Sequence, residues 1–123
     1  MSEPNNEFKK TLFIDIDGTL IKHTGNLTNE ILMEPEILPN VIEKLNEWDG
    51  RGFKIILTTG RKESMRKITE EQLSKVGIFY DQLVMGITRG ERIIINDKKP
   101  GNDMVTVRAI EVNRNKGLGS VEL

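Results

Sequence analysis

Three short apolar runs in the first two-thirds of the chain predict buried β-strands. They cover residues 10–16, 53–58 and 80–85, and each is bounded by polar residues or glycine. Between them lie residues 39–48 and 62–76, whose apolar positions recur every three to four residues as in an amphipathic helix. This alternation of strand and helix predicts a parallel sheet built from right-handed crossovers.

Two later apolar runs, residues 92–97 and 104–112, predict a fourth and a fifth strand. The connections that precede them are too short to hold another crossover helix. A parallel fourth strand is feasible but tight, and the last strand either turns back antiparallel or lies at an edge. The pattern predicts an α/β fold, a three-layer domain of about five strands with helices on both faces, over residues 10–123 after a loose tail at residues 1–9.

The remaining segments predict loops. Residues 20–35 contain no sustained period, and we expect a loop or a small hairpin over the end of the first strand. That segment is too short for an inserted lid domain. Residues 113–123, with two glycines, predict a terminal loop.

Two carboxylates close the first predicted strand. Asp15 and Asp17 are two residues apart, so they begin on one face of the strand just before Gly18. Like charges at close range disfavour joint ionisation, which is relieved by a metal ion or by protonation of one carboxyl. The alternative is a strand exit in which both side chains only hydrogen-bond a turn.

Other predicted strands also end in polar groups. The second strand ends in Thr58, Thr59, Gly60 and Arg61, and the fourth ends in Asn96 and Asp97. Ligands bind beyond the carboxyl ends of strands in parallel α/β sheets. The convergence of these groups on one edge predicts a functional site.

Composition excludes several classes of function. The 123 residues contain no cysteine and one histidine, so a disulfide, a Cys nucleophile and a multi-histidine metal site are excluded. With 18 basic and 19 acidic residues the formal charge is −1, which gives no global attraction to nucleic acid or to anionic membranes. No apolar run approaches the roughly 20 residues that span a bilayer. The opening residues lack the regions of a signal peptide, and we expect a cytoplasmic location.

The strand ends resemble motifs of the haloacid dehalogenase (HAD) superfamily of phosphohydrolases. Residues 14–19, Ile-Asp-Ile-Asp-Gly-Thr, match its first motif, an apolar run followed by Asp-x-Asp-Gly-Thr. Residues 55–61 resemble the second motif in the Ser/Thr-Gly-Arg variant of polynucleotide phosphatases and of small capsule and sugar-phosphate phosphatases. The resemblance covers about residues 10–100, and it implies a Rossmann-like fold without a cap domain.

The resemblance also implies roles for individual residues. Asp15 would be the nucleophile that forms an aspartyl-phosphate, and Asp17 would transfer the proton. Mg²⁺ would bind the Asp15 carboxylate, the Asp17 backbone carbonyl and Asp97. The phosphoryl group would contact Thr58, Thr59, Gly60, Arg61 and Arg89, with Thr59 preferred to Thr58.

The chain departs from the family pattern at two places. Asn96 stands where the fourth motif often has a second acid, and Asp103 could replace that acid through a water or could be an ordinary turn residue. The third motif's phosphate-binding lysine is absent after Gly86. Arg89 is its expected replacement, with Arg92 and Lys98 as rivals.

The leading expectation is a cap-less, Mg²⁺-dependent phosphomonoesterase acting on a small phosphorylated substrate such as a sugar phosphate of a surface-polysaccharide pathway. Association of several copies could complete its open site. We expect no membrane partner, and nucleic-acid ends are the less favoured substrate because the chain lacks a basic, aromatic stripe. The alternative from another class is a catalytically weak module that binds phosphorylated ligands.

Overall fold

A computed structural model describes residues 8–26, 32–101 and 104–123. Its strands are β1 (Thr11–Asp15), β2 (Lys54–Thr58) and β3 (Gln82–Val84). Its helices are α1 (Val41–Gly50) and α2 (Arg66–Lys75), the latter preceded by a 3₁₀ turn at Glu63–Met65. The three strands and two helices predicted in the first two-thirds of the chain are confirmed.

The sheet is parallel, in the order β1-β2-β3. The register places Asp15 beside Thr58 and Thr58 beside Val84, so the three strands end at one level. Because each connection between them carries a helix, the chain returns to the same sheet end before each new strand. The carboxyl ends therefore form a single edge, as the sequence predicted.

The core lies between the sheet and the helices. Helix α1 buries Val41, Leu45 and Trp48, three positions of one helical face, against Ile14 and its neighbours in the strands. Trp48 is only 2% exposed, so its large side chain anchors the core. The other face of β1 is open to solvent, since Phe13 is 60% exposed.

The terminal loop closes one side of this core. Leu118 and Val121 are buried, and the Leu118 N–H donates to the Pro39 carbonyl at 3.1 Å. Gly117 has a φ of +81°, and a Cβ there would lie 2.1 Å from the Pro39 oxygen. Only glycine fits this close approach of the two backbones.

Residues 92–97 and 104–112 form no strand within the described part of the chain, which corrects the prediction of a fourth and a fifth strand. Residues 88–101 and 104–111 are exposed apart from the half-buried Thr106, and we call them the exposed segment. The connection between β3 and residues 92–97 is too short for a crossover helix that would return the chain to the opposite end of the sheet. Among the residues that the structure describes, the apolar run has no ladder partner and the sheet has three strands.

The segment after β1 forms the predicted small hairpin, as far as its residues are described. Lys22 N–H donates to the Glu36 carbonyl at 2.8 Å, and Leu38 N–H donates to the Leu20 carbonyl at 3.0 Å. Residues 27–31 at its tip and residues 1–7 of the predicted tail lie outside the described residues. Within the described ranges no helix is long and apolar enough to cross a membrane.

Candidate active site

The turn that follows β1 fixes the first motif. The Gly18 N–H donates to the Ile21 carbonyl at 2.7 Å, and the Gly18 carbonyl accepts the Asn115 N–H at 2.8 Å. Gly18 has a φ of +92°, a region that favours glycine. The Asn115 side chain also exchanges two hydrogen bonds with the backbone of His23, at 2.7 and 3.0 Å. The terminal loop thus holds the motif turn in place.

The turn after β2 is tied to the segment after β3. Thr59 N–H donates to the Val84 carbonyl and Ile87 N–H donates to the Thr59 carbonyl, each at 3.0 Å. Gly86 N–H donates to the Arg61 carbonyl at 2.8 Å. A Cβ on Gly60 would lie 3.2 Å from the Ile87 oxygen, so glycine allows this approach. The predicted phosphate-binding turn is therefore held by backbone contacts.

Two threonines of this turn differ in burial. Thr59 is 1% exposed, and its hydroxyl oxygen accepts the Arg61 backbone N–H at 3.1 Å. Thr58 is half-buried beside Asp15 in the register. Gly60 is exposed at the edge. Both hydroxyls lie at the carboxyl end of β2, where Thr58 is the register partner of Asp15. Their contact with phosphate stays a prediction.

Arg61 forms a buried bidentate ion pair with Asp17. Its Nε and Nη2 donate to the two carboxylate oxygens at 3.0 and 2.8 Å, and the side chains are 1% and 14% exposed. On the other side Nη1 donates to Thr69 Oγ1 at 3.1 Å and to Gln72 Oε1 at 2.6 Å. Helix α2 thus supplies the polar partners that a buried guanidinium requires.

Sequence reasoning missed the role of α2. The apolar positions that recur along residues 62–76 include Met65, Ile68, Leu73 and Val76, but of these only Leu73 is fully buried. Thr69 and Gln72 are buried instead. They are three residues apart and therefore lie on one helical face. Two polar residues at this spacing after a Gly-Arg turn were the signal in the sequence for a polar contact with the arginine. The direct phosphate contact expected of Arg61 stays a prediction.

Asp15 lies in an electrostatically unfavourable place. Desolvation and the neighbouring Asp17 carboxylate raise the pKa of Asp15, and the charge of Arg92 offsets part of that rise. The Thr19 hydroxyl makes a long contact with its Oδ2, at 3.4 Å. Arg92 is held by the carbonyls of Thr88 and Gly90, at 2.8 and 2.7 Å.

Arg92 is one of the three candidates to replace the absent lysine of the third motif. Its charge acts on Asp15. Arg89 and Lys98 are both exposed. The phosphate contact of Arg89 stays a prediction, and Arg92 is the better placed of the three.

The predicted metal ligands come together only in part. The Asp15 carboxylate and the Asp17 carbonyl are hard oxygen donors at one strand end, and the strain between the two carboxylates is what a cation would relieve. Asp97 is exposed, with its carboxylate 3.6 Å from Lys99 Nζ. In the described ranges no three acidic or histidine side chains gather into a metal site, so Asp97 does not join the pair here. Asp103 lies outside the described residues.

Solved structures share this fold. A chain of the Pnkp1/Rnl/Hen1 complex is 31% identical with a TM-score of 0.54, and the match covers 69% of this chain and 30% of that one. A chain of the Pnkp1/Rnl/Hen1 RNA repair complex is 31% identical with a TM-score of 0.52, over 68% and 27%. A target protein from Vibrio cholerae is 27% identical with a TM-score of 0.52, over 69% and 79%. The chain thus spans less than a third of the chains that it matches in the two complexes.

The match to a protein family covers both motifs of the candidate site. No curated protein matches the sequence. The model of the haloacid dehalogenase-like hydrolases matches residues 12–98, which include the carboxylates after β1 and the Thr-Gly-Arg turn after β2. This chain therefore belongs to the haloacid dehalogenase-like hydrolases.

Proposed function

We propose that this chain hydrolyses phosphomonoesters through an aspartyl-phosphate, with a sugar phosphate or a related small metabolite as substrate. The observation that carries the proposal is the unequal pair at the end of β1. Arg61 engages both oxygens of Asp17, whereas Asp15 faces the open edge with a weak contact to Thr19. One carboxylate is held and the other is accessible, as a proton-transfer group and a nucleophile require.

The bonds made and broken in the reaction involve the two carboxylates, the ester and one water. An Asp15 carboxylate oxygen bonds to phosphorus while the bond from phosphorus to the ester oxygen breaks, and Asp17 gives its proton to that leaving oxygen. Water then attacks the phosphorus of the aspartyl-phosphate and loses its proton to Asp17. The bond between phosphorus and the Asp15 oxygen breaks, which releases inorganic phosphate and restores both residues.

Cations are required because a carboxylate and a phosphate dianion repel each other. Mg²⁺, which the Asp15 carboxylate and the Asp17 carbonyl would hold, supplies that neutralisation when it is bound. Arg92, whose charge already acts on Asp15, would add to it. The threonine hydroxyls of the β2 turn would orient the phosphoryl oxygens.

Turnover by the wild type and by Asp15→Asn tests this proposal. Both proteins are assayed on a panel of sugar phosphates, nucleotides and p-nitrophenyl phosphate, with Mg²⁺ and with chelator. We expect turnover by the wild type with Mg²⁺, and its loss in the variant and in chelator. Asp49→Asn, an exposed site at the end of α1, is the matched control and should retain full activity. Phosphate-ester binding without turnover by the wild type would favour the binding module instead.

One observation favours a second substrate class. The likeness to a chain of an RNA repair complex, at 31% identity, supports nucleic-acid ends as substrate. The formal charge of −1 argues against an extended electrostatic footprint on nucleic acid. Oligonucleotides carrying a terminal phosphate, compared with sugar phosphates at equal concentration, decide between the two. A kcat/KM that is higher for the oligonucleotide and falls steeply with salt would favour the second class.

A further inference from the structure

The guanidinium of Arg61 connects Asp17, the proposed proton-transfer group, to helix α2. One side of its planar fork engages both oxygens of Asp17. The other side, Nη1, donates to Thr69 and Gln72 of α2, which are 0% and 6% exposed. Helix α2 is therefore connected to the Asp17 carboxylate through one buried side chain.

The geometry leaves the guanidinium little freedom. The backbone of Arg61 is fixed on both sides, since its N–H donates to Thr59 Oγ1 and its carbonyl accepts from Gly86. The far end of the side chain is then set by its hydrogen bonds. Because an arginine fork binds a carboxylate in one plane, the orientation of the guanidinium determines the orientation of the Asp17 oxygens.

The contact leaves Asp17 chemically competent. A carboxylate oxygen has two lone-pair directions, and the arginine fork occupies one on each oxygen. The remaining direction can hold a proton or accept one. Proton transfer depends on the distance and angle to the reacting oxygen, so a small rotation of the carboxylate reduces the rate.

We propose that Thr69 and Gln72 are positioning residues for proton transfer. They hold the Arg61 guanidinium so that Asp17 points at the leaving oxygen of the substrate. This inference rests on the proposed phosphomonoesterase function, and it adds two helix residues that touch neither the substrate nor a metal ion.

The loss of rate that follows from a misplaced Asp17 should depend on the leaving group of the substrate. An alkyl phosphate, such as a sugar phosphate, releases a strongly basic alkoxide oxygen that must be protonated as its bond breaks. p-Nitrophenyl phosphate releases a stable phenolate that needs little protonation. Misplacement of Asp17 should therefore slow formation of the aspartyl-phosphate from the alkyl ester and leave its formation from the aryl ester nearly unchanged.

The test compares two isosteric losses with one conservative replacement. Gln72→Met and Thr69→Val remove the hydrogen-bonding groups, and Thr69→Ser retains a hydroxyl acceptor without adding a charge beside Arg61. Removing the group should lower kcat/KM on a sugar phosphate by about tenfold or more, part of the 10²- to 10⁴-fold that acid catalysis typically supplies. Because kcat/KM reports only the steps up to departure of the leaving group, its change on p-nitrophenyl phosphate should stay within about twofold. Thr69→Ser should recover most of the loss that Thr69→Val causes.

A matched control and a second readout separate this effect from a general structural change. Glu71→Met, at an exposed position of α2, should change neither rate. In ¹⁵N NMR the Nε–H of a buried, hydrogen-bonded arginine exchanges slowly, so one such signal should be present in the wild type and absent from Arg61→Lys. In Gln72→Met that signal should broaden or shift.

Three outcomes would overturn the inference. Equal losses of kcat/KM on both ester types would mean a general structural defect, and no loss on either would mean that Asp17 needs no support from α2. In both cases an active wild type leaves the proposed function standing. A wild type that is inactive on both ester types would overturn the proposed function, and this inference with it.

Discussion

The strand edge around Arg61 and the exposed segment both contain charged groups next to apolar residues, but the two regions are built differently. At the strand edge Arg61 makes four side-chain hydrogen bonds while almost fully buried, and Leu57 in β2 is 0% exposed. In the exposed segment Ile93 and Ile95 are 73% and 93% exposed. Arg92 there bonds to carbonyls of its own segment.

This difference shows that an apolar run forms a strand only where a neighbouring strand lies in position to hydrogen-bond with it. Strands β1 and β2 pair through five residues each, because the helix between them returns the chain to the same sheet end. The run at 92–97 has three apolar residues in six and β1 has three in five, but no crossover helix precedes the later run. The crossover helix that precedes β2, and that residues 92–97 lack, is therefore one difference between the two regions.

The largest expected effect comes from removing the buried cation. Arg61→Met leaves Asp17 buried without its partner and should lower the free energy of unfolding by about 3–5 kcal/mol. The same replacement in the exposed segment, Arg89→Met, should change it by about 0.5 kcal/mol or less. Urea denaturation of both variants measures the difference. Similar losses in the two variants would contradict the comparison.

Apolar truncations should divide the two regions in the same way. Leu57→Ala removes a fully buried side chain of β2 and should cost about 2–5 kcal/mol of unfolding free energy. Ile95→Ala removes a side chain that is 93% exposed and should stay within about 0.5 kcal/mol. Thermal and urea unfolding check both values. A cost above 2 kcal/mol for Ile95→Ala, by the same scale, would mean that the exposed segment is covered in solution.

Neutralising Asp15 should stabilise the metal-free protein at neutral pH. Because the pKa of Asp15 is raised in the folded state, the unfolded chain releases this proton at lower pH than the folded one does. Stability is therefore lost as pH rises from the ordinary range of an aspartate through the raised pKa, and the loss is complete above it. In chelator at pH 7, Asp15→Asn should unfold at a higher temperature than the wild type.

The pH dependence and a matched variant check the cause of that stabilisation. The gain should shrink to nothing below the ordinary range of an aspartate, where Asp15 is protonated in both states. Asp97→Asn, in the exposed segment, should leave the unfolding temperature within error, since exposed ion pairs contribute little. A variant that is destabilised at pH 7 would show that Asp15 is not under electrostatic strain.

The smallest effect is expected at Asn96. If the exposed segment approaches Asp15 when Mg²⁺ binds, Asn96→Asp adds an acidic oxygen near the metal and should lower the Mg²⁺ concentration for half-maximal activity a few-fold. Arg108→Gln, which lowers the charge of the same exposed segment by one, serves as the control. No shift in Asn96→Asp would mean that Asn96 stays away from the metal during turnover.

The parts of the fold that could be predicted from the sequence are those set by local patterns. Residues 10–16 and 53–58 became β1 and β2 within two residues of the predicted bounds. Residues 39–48 became α1 because Val41, Leu45 and Trp48 define one helical face. The spacing of Asp15 and Asp17 in an apolar strand end indicated the site before any contact was known.

The parts that could not be predicted depend on distant contacts. The pairing of Arg61 with Thr69 and Gln72 follows from how α2 packs on the β2 turn, and helical periodicity alone favoured an apolar inward face. The burial of Leu118 and Val121 follows from the contact of the terminal loop with Pro39. The apolar run at residues 92–97 predicted a strand, but whether such a run pairs depends on where the short connection before it places the chain, which is not a local property.

The most direct test of the proposed function is the detection of the phosphorylated enzyme. The wild type is mixed with Mg²⁺ and a sugar phosphate that it turns over, quenched in acid, digested, and analysed by mass spectrometry. We predict one phosphoryl group on the Asp15 carboxylate, which hydroxylamine removes and Asp15→Asn lacks. Turnover at full rate without this adduct, or with the phosphoryl group on another residue, would contradict the assignment of Asp15 as the nucleophile.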